Sequence, residues 1–139
     1  TSNENVIAGI CPAARYLRGG WRIGLGSDVA GGHTLDLFTV MATAVQVSKL
    51  RWRYVDQREK PLTMTEALYM ATVGGGDFWA DFGEKVGLFE EGYALDALVL
   101  DDDSLKNMRT FTPAERLERY AYLGRGALSA KFAQGKKLL

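Results

Sequence analysis

One apolar run, residues 21–25, constrains the fold of this chain more than any other feature. It is compact and follows a turn at Gly19 and Gly20, which favours a buried strand. A long helix is predicted next, from a cap at Thr34 to about Tyr54, and one strand followed by a helix of crossover length is typical of α/β folds. A single strand cannot form a sheet. Either its partner strands lie outside this chain, or the fold is mostly helical.

The other predicted elements follow from capping and turn signals. Thr63 and Glu66 form a capping box that opens a helix, and the glycines at 74–76 are expected to end it. Thr112 and Glu115 form a second box with proline at the first helical position. The remaining predictions are a helix over 7–17, a strand over 94–100, a helix over 113–123 and a hairpin over 127–139.

Composition excludes several classes of function. The 17 Lys and Arg balance the 17 Asp and Glu, which argues against nucleic acid or membrane surfaces as partners held by bulk positive charge. No apolar stretch approaches the roughly 18 residues of a membrane span, and no secretory signal opens the chain. A cytoplasmic protein is therefore expected. The single cysteine and single histidine exclude a disulfide framework and any metal site that needs several of either from this chain.

Asp28 is the candidate for a catalytic or metal-binding residue. It follows the predicted strand directly, with glycines on both sides, and ligands of α/β folds bind at the carboxyl ends of strands. A carboxylate there can ligate a metal, or take a proton from a water and pass it to a leaving group. The alternative is structural, because strand–loop–helix connections often use Asp to cap the following turn or helix.

A family resemblance covers essentially the whole chain. The segments that carry it are 2–9, 22–32, 46–50, 62–75, 87–101 and 118–124. The run 22–32, which reads RIGLGSDVAGG, resembles the amidohydrolase superfamily around its last barrel strand. The segment 118–124, ERYAYLG, with the hairpin after it, is similar to the guanine deaminase branch.

The resemblance implies a metal-dependent hydrolase built on a (β/α)8 barrel. Residues 1–86 would be the C-terminal portion of the barrel, with strand 8 and the helices after it, and 87–139 a portion of the small composite β-sandwich with one helix. The implied cofactor is one zinc ion, sometimes iron. Asp28 matches the metal ligand and proton shuttle of the family. The implied reaction converts guanine and water to xanthine and ammonia, and Ser2 and Asn3 match a loop that shapes the mouth of the site.

The sequence departs from the family pattern in its other catalytic residues. The paired histidines, two further ligand histidines and the glutamate that handles substrate protons are all absent, and His33 lies where the family is variable. We therefore expect a C-terminal part of a longer enzyme, inactive alone and not retaining zinc. Strand 8 would lack its neighbours, so a homo-oligomer in which such edges pair is also expected.

Two alternatives stay open at the level of sequence. The parent protein is either a guanine deaminase or another deaminase or chlorohydrolase of the same superfamily, and the substrate-reading residues that distinguish them are mostly upstream. The alternative of a different class is a non-catalytic binding or interaction domain that reuses the same segments.

Overall fold

A computed structural model describes residues 7–105, 109–123 and 128–139. Helices and strands in that part of the chain are α1 (Ala13–Arg18), α2 (Leu37–Tyr54), α3 (Met64–Ala71), α4 (Val73–Ala80), β1 (Ala97–Leu100), α5 (Pro113–Leu123), β2 (Leu128–Ala133) and β3 (Lys136–Lys137). The chain thus mixes helix and strand, as predicted. The helix predicted over 7–17 is shorter than expected, because Pro12 stands at its N-cap and lacks the N–H that would continue a helix upstream.

The core lies where α2 packs on α3 and α5. Its centre is formed by side chains with almost no exposed surface, among them Met41 and Val45 of α2 and Met70 of α3. Phe38 of α2 meets Tyr120 of α5 edge to face, with 4.9 Å between ring centroids. The helix of the second half of the chain is therefore packed directly on the first half.

Both predicted capping boxes are confirmed. Thr63 Oγ1 accepts from the Glu66 N–H at 3.1 Å, and the Glu66 carboxylate accepts from the Thr63 N–H at 2.8 Å. Thr112 and Glu115 repeat the arrangement at α5. Such caps satisfy helix N–H groups that have no partner within the helix, and each contributes about 1 kcal/mol.

The predicted cap of the long helix is wrong by two residues. Asp36 caps α2, and its carboxylate accepts from the N–H groups of Phe38 and Thr39 at 3.1 and 3.2 Å. Thr34 instead accepts from the Asp36 N–H at 3.0 Å. A carboxylate that reaches two N–H groups is the better cap, because it also opposes the positive end of the helix dipole.

The glycines at 74–76 do not end a helix, contrary to prediction. The break falls at Thr72, whose φ of −120° and ψ of −84° are not helical, and the glycines lie in the first turn of α4. Glycine is unfavourable in a helix unless close packing requires it. The glycines therefore indicate backbone contacts around the start of α4.

The strand predicted over 21–25 forms no ladder in the described part of the chain, and pairing with strands outside this chain stays a prediction. The segment has no partner strand among the described residues, and a strand exists only through its neighbours. Ile23 and Leu25 pack against the core, whereas Arg22, Gly24 and Gly26 are exposed, which is the alternation of an extended chain. The Leu25 N–H donates to the Met70 carbonyl at 2.9 Å, so the end of α3 holds this segment.

The strands form one antiparallel sheet in the order β1–β2–β3. Ala97 pairs with Phe132, and the register shifts between Val99 and Leu100. The predicted hairpin is confirmed, with Gln134 and Gly135 at its turn, both at positive φ. In the part of the chain that is described, no helix combines the length and apolar character needed to cross a membrane.

Arg18 joins α1 to the start of α3. Its guanidinium donates to both oxygens of Glu66 at 2.8 and 2.9 Å, and to the carbonyls of Lys60 and Pro61 at 2.6 and 2.9 Å. The hydrogen bond from Arg18 is also the main reason why the pKa of Glu66 lies below its usual value. One side chain therefore secures both the capping box and the connection that leads into it.

Replacing Arg18 by Ala is expected to lower the free energy of unfolding at pH 7 by about 1 kcal/mol, since a bidentate pair and two carbonyl bonds are lost at a partly exposed site. Because the pKa of Glu66 is depressed in the folded state, the pair stabilises above pH 4.5 and its contribution is lost as pH falls through the lowered pKa. Wild type and variant should therefore converge in acid. Urea unfolding from pH 7 to pH 3 measures this.

Arg22→Ala is the matched control for Arg18→Ala. Arg22 also pairs with a carboxylate, Asp81, at 2.8 Å, but both side chains are more than half exposed. Arg22 also donates to the carbonyl of Asp77, but at so exposed a site its loss should lower stability clearly less than the loss of Arg18. Equal losses for the two arginine variants would contradict the role given to Arg18.

Candidate functional site

Asp28 lies in an exposed loop that follows the extended segment 21–25. Its φ of +49° is left-handed, a conformation that Asp tolerates better than most side chains. Its carbonyl accepts from the Gly32 N–H and closes the loop. A methyl group on Gly31 would lie 2.9 Å from Asp28 Oδ2, so the carboxylate folds over that glycine. Gly31 thus leaves room for the Asp28 side chain.

The structural alternative for Asp28 was a cap of the following turn or helix, and for the helix it is wrong. Asp36 provides that cap, and Asp28 takes part in the loop turn through its backbone carbonyl. The carboxylate of Asp28 lies beside Gly31 in the same turn, and the residue as a whole is exposed.

In the part of the chain that the structure describes, Asp28 does not belong to a group of three or more candidate metal ligands. Across residues 7–105, 109–123 and 128–139 no group of three or more His, Cys, Asp or Glu could hold a metal ion. His33 is exposed in the same loop, and Cys11 is an exposed free thiol. Ser2 and Asn3, the predicted residues of the site mouth, lie outside the described residues. The part of the candidate site that is described thus centres on Asp28 in a loop that contains Gly31 and Gly32.

Backbone contacts support the segment that leads to Asp28. A methyl group on Gly74 would overlap the carbonyl oxygen of Ile23, and one on Gly24 would lie 3.2 Å from both Cα and N of Gly75. The main chains of the segment and of α4 therefore touch with no side chain between them. Sequence reasoning missed this role for the glycines, although three consecutive glycines in a helical stretch were the signal.

The carboxylates with clearly lowered pKa values belong to ion pairs away from this loop. Hydrogen bonds from Arg58 lower the pKa of Asp56 to about 2. Arg116 lowers the pKa of Asp102 in the same way. These carboxylates stabilise connections and helix ends as anions, and the geometry gives them no catalytic role.

Comparison with known proteins places the chain in a family. The profile of the amidohydrolase family matches residues 1–134. A probable guanine deaminase of Schizosaccharomyces pombe is 32% identical over 101 residues, which are 73% of this chain and 19% of that protein. Human guanine deaminase is 34% identical over 72% of this chain and 22% of its own length. A 5'-deoxyadenosine deaminase of Methanopyrus kandleri is 35% identical over 74% of this chain and 23% of its own.

Solved structures agree with the sequence comparison. The crystal structure of guanine deaminase from C. acetobutylicum, with guanine bound in its active site, has a TM-score of 0.87 and 42% identity. The superposition covers 100% of this chain and 32% of the guanine deaminase chain. This chain therefore spans about a third or less of the length of the relatives it matches. Since the family profile covers nearly the whole sequence, the resemblance inferred from the motifs is confirmed, and the chain belongs to the amidohydrolase family.

Proposed function

We propose that this chain is the C-terminal third of a metal-dependent aminohydrolase that converts guanine and water to xanthine and ammonia. The carrying observation is the 42% identity and TM-score of 0.87, over the whole chain, to a guanine deaminase with guanine in its active site. In this proposal residues 1–86 are the end of a (β/α)8 barrel, with 21–25 as its last strand. Residues 87–139 belong to the small β-sandwich.

The proposed catalytic group of this chain is the Asp28 carboxylate. It follows an extended segment at the edge where ligands of barrel folds bind, and it is exposed on a loop cleared by glycines. In the reaction, the oxygen of water bonds to the carbon that carries the amino group of guanine. Asp28 accepts a proton from that water and donates it to the departing nitrogen. The C–N bond breaks and ammonia leaves.

The described residues do not by themselves fit a zinc site. Catalytic zinc takes three protein ligands, whereas no group of three candidate ligands occurs in the described ranges. We propose that Asp28 is the one ligand that this chain contributes to zinc, or to iron in its place, with the others supplied by the rest of the protein. Ser2 and Asn3 are proposed to shape the mouth of the site.

A second candidate substrate class has its own support. The 5'-deoxyadenosine deaminase of Methanopyrus kandleri is 35% identical over 105 residues, about as similar as human guanine deaminase, which is 34% identical over 101 residues. Its name indicates removal of the amino group from an adenine ring, which is the same exchange of nitrogen for oxygen. Asp28 would play the same part for either purine.

We further propose a cytoplasmic homo-oligomer that acts on a small purine. The outer edge of β1 and the segment 21–25 have no partner strand in the described part of the chain, and exposed edges favour pairing between copies. Light scattering of the 139-residue chain tests this edge pairing, because in the full-length protein the segment 21–25 would pair within the proposed barrel. A monomer would contradict it.

The experiment that tests the proposed function uses the full-length gene product. Purified protein is incubated separately with guanine and with 5'-deoxyadenosine, and release of ammonia is followed together with the purine product. Turnover of guanine at a kcat/KM well above that for the nucleoside is the expected result. Preference for the nucleoside would support the second candidate, and no turnover of either purine would contradict deamination.

The 139-residue chain on its own is expected to show no guanine turnover and to hold well under one zinc ion per chain. The physical reason is the ligand set, since one histidine and one cysteine cannot complete a nitrogen and sulfur site. Elemental analysis of the purified chain after dialysis measures the zinc content. A stoichiometric ion that survives dialysis would contradict the expectation.

A further inference from the structure

We propose that Gly74 is a positioning residue for Asp28 and acts through the backbone of Ile23 and Gly24. The proposal rests on the proposed function, because it assigns to Gly74 the placement of the carboxylate that handles protons. It concerns two parts of the chain that are about fifty residues apart in sequence.

Residues 23–24 and the first turn of α4 touch through main chain, while the Arg22 side chain reaches Asp77 and Asp81 toward the far end of the helix. A methyl group at Gly74 has no space, because it would overlap the Ile23 carbonyl, which is backbone and cannot rotate away. A methyl group at Gly24 would be 3.2 Å from the main chain of Gly75. This contact is tight, but a backbone shift of a few tenths of an ångström would relieve it. The Leu25 N–H bond to the Met70 carbonyl, at 2.9 Å, fixes the next residue of the segment.

The start of α4 cannot move away from the segment to relieve such an overlap. Residues two apart on a helix point to nearly opposite sides. On the side opposite Gly74, a methyl group at Gly76 would overlap the carbonyl of Val86. The first turn of α4 is therefore held between two backbone segments, and a methyl at Gly74 would displace the segment 21–25.

Displacement of that segment is passed to Asp28. Asp28 is three residues beyond Leu25, and a methyl group at Gly26, between them, would meet no atom within 4 Å. The loop therefore takes its position from the anchored residues 23–25. A methyl overlap of this kind requires a shift on the order of 1 Å, a misplacement that costs about a hundredfold in rate when it reaches a catalytic group.

The test compares three Gly→Ala variants of the full-length gene product. Gly75→Ala is the matched control, because its methyl meets only the Met70 carbonyl at 3.9 Å and it brings the same gain in helix propensity as Gly74→Ala. It should keep kcat and KM within about twofold of wild type. Gly74→Ala should lower kcat about a hundredfold with KM changed less than about threefold, because only placement of the proton-transfer group is disturbed. Gly24→Ala should fall between them, at about tenfold.

A second readout is independent of turnover. Hydrogen exchange at the Leu25 amide should be faster in Gly74→Ala than in wild type and unchanged in Gly75→Ala.

If Gly74→Ala does not fold, Gly24→Ala is the variant that tests the proposal. Wild-type kcat in folded Gly74→Ala and Gly24→Ala, or an equal loss in Gly75→Ala, would overturn the proposal. If the wild type turns over no purine, the proposed function fails. In that case, hydrogen exchange at Leu25 that is unchanged in Gly74→Ala and Gly24→Ala would contradict the proposed role of Gly74 independently of activity.

Discussion

Replacing Asp28 by Asn in the full-length gene product is expected to lower kcat for guanine by about 10³-fold. Asn has nearly the same shape, and the carboxylate is exposed, so the loop and the fold should be kept. What is lost is the ability to accept a proton from water and to return it to the leaving nitrogen. Steady-state kinetics at saturating guanine measures kcat, and circular dichroism of the same sample checks the fold.

Asp103→Asn is the control for Asp28→Asn. Asp103 is an exposed aspartate beyond β1, and the proposed reaction gives it no part. The same change of charge there should leave kcat within about twofold. If Asp28→Asn kept a wild-type rate, the carboxylate would not be the proton-transfer group. A comparable loss in both variants would point to a general effect of charge.

The elements that the sequence predicted well are those governed by neighbouring residues. The capping boxes at Thr63 and Thr112 join groups three residues apart, so their partners are visible in the sequence. The hairpin turn at Gln134 and Gly135 is local in the same sense. In contrast, residues 21–25 needed partner strands that the described residues do not provide, and periodicity alone cannot reveal them.

The candidate site also combines features set by neighbouring residues with contacts between residues that are distant in sequence. The exposed position of Asp28 after an extended segment, among glycines, could be predicted because loop and glycines are contiguous. The support that Gly74 gives to Ile23 could not, because the two residues are joined only when α4 packs on the segment. In the sequence, the glycines at 74–76 indicate the end of a helix, whereas in the structure they permit close backbone contact. A glycine ends a helix and permits close backbone contact for the same reason, its missing side chain.

The centre of the core provides the largest expected effect on stability. Met41 of α2 has 1% of its surface exposed and lies in the buried cluster shared with α3, while Leu50 of the same helix is 52% exposed. Met41→Ala removes buried methylene and thioether groups and leaves a cavity that the packed neighbours fill only in part. The expected loss in the free energy of unfolding is about 2–5 kcal/mol.

Leu50→Ala separates this packing effect from effects on the helix itself. Both substitutions introduce the best helix former into α2, so neither weakens the helix through propensity. Leu50→Ala should therefore cost less than about 0.5 kcal/mol, because its side chain is already largely in water. Urea unfolding of the 139-residue chain and its two variants measures the difference. Equal losses would contradict a core centred on Met41. A large loss at Met41 alone would place the stabilising contact at the junction of α2 and α3, where Met70 also holds the segment that leads to Asp28.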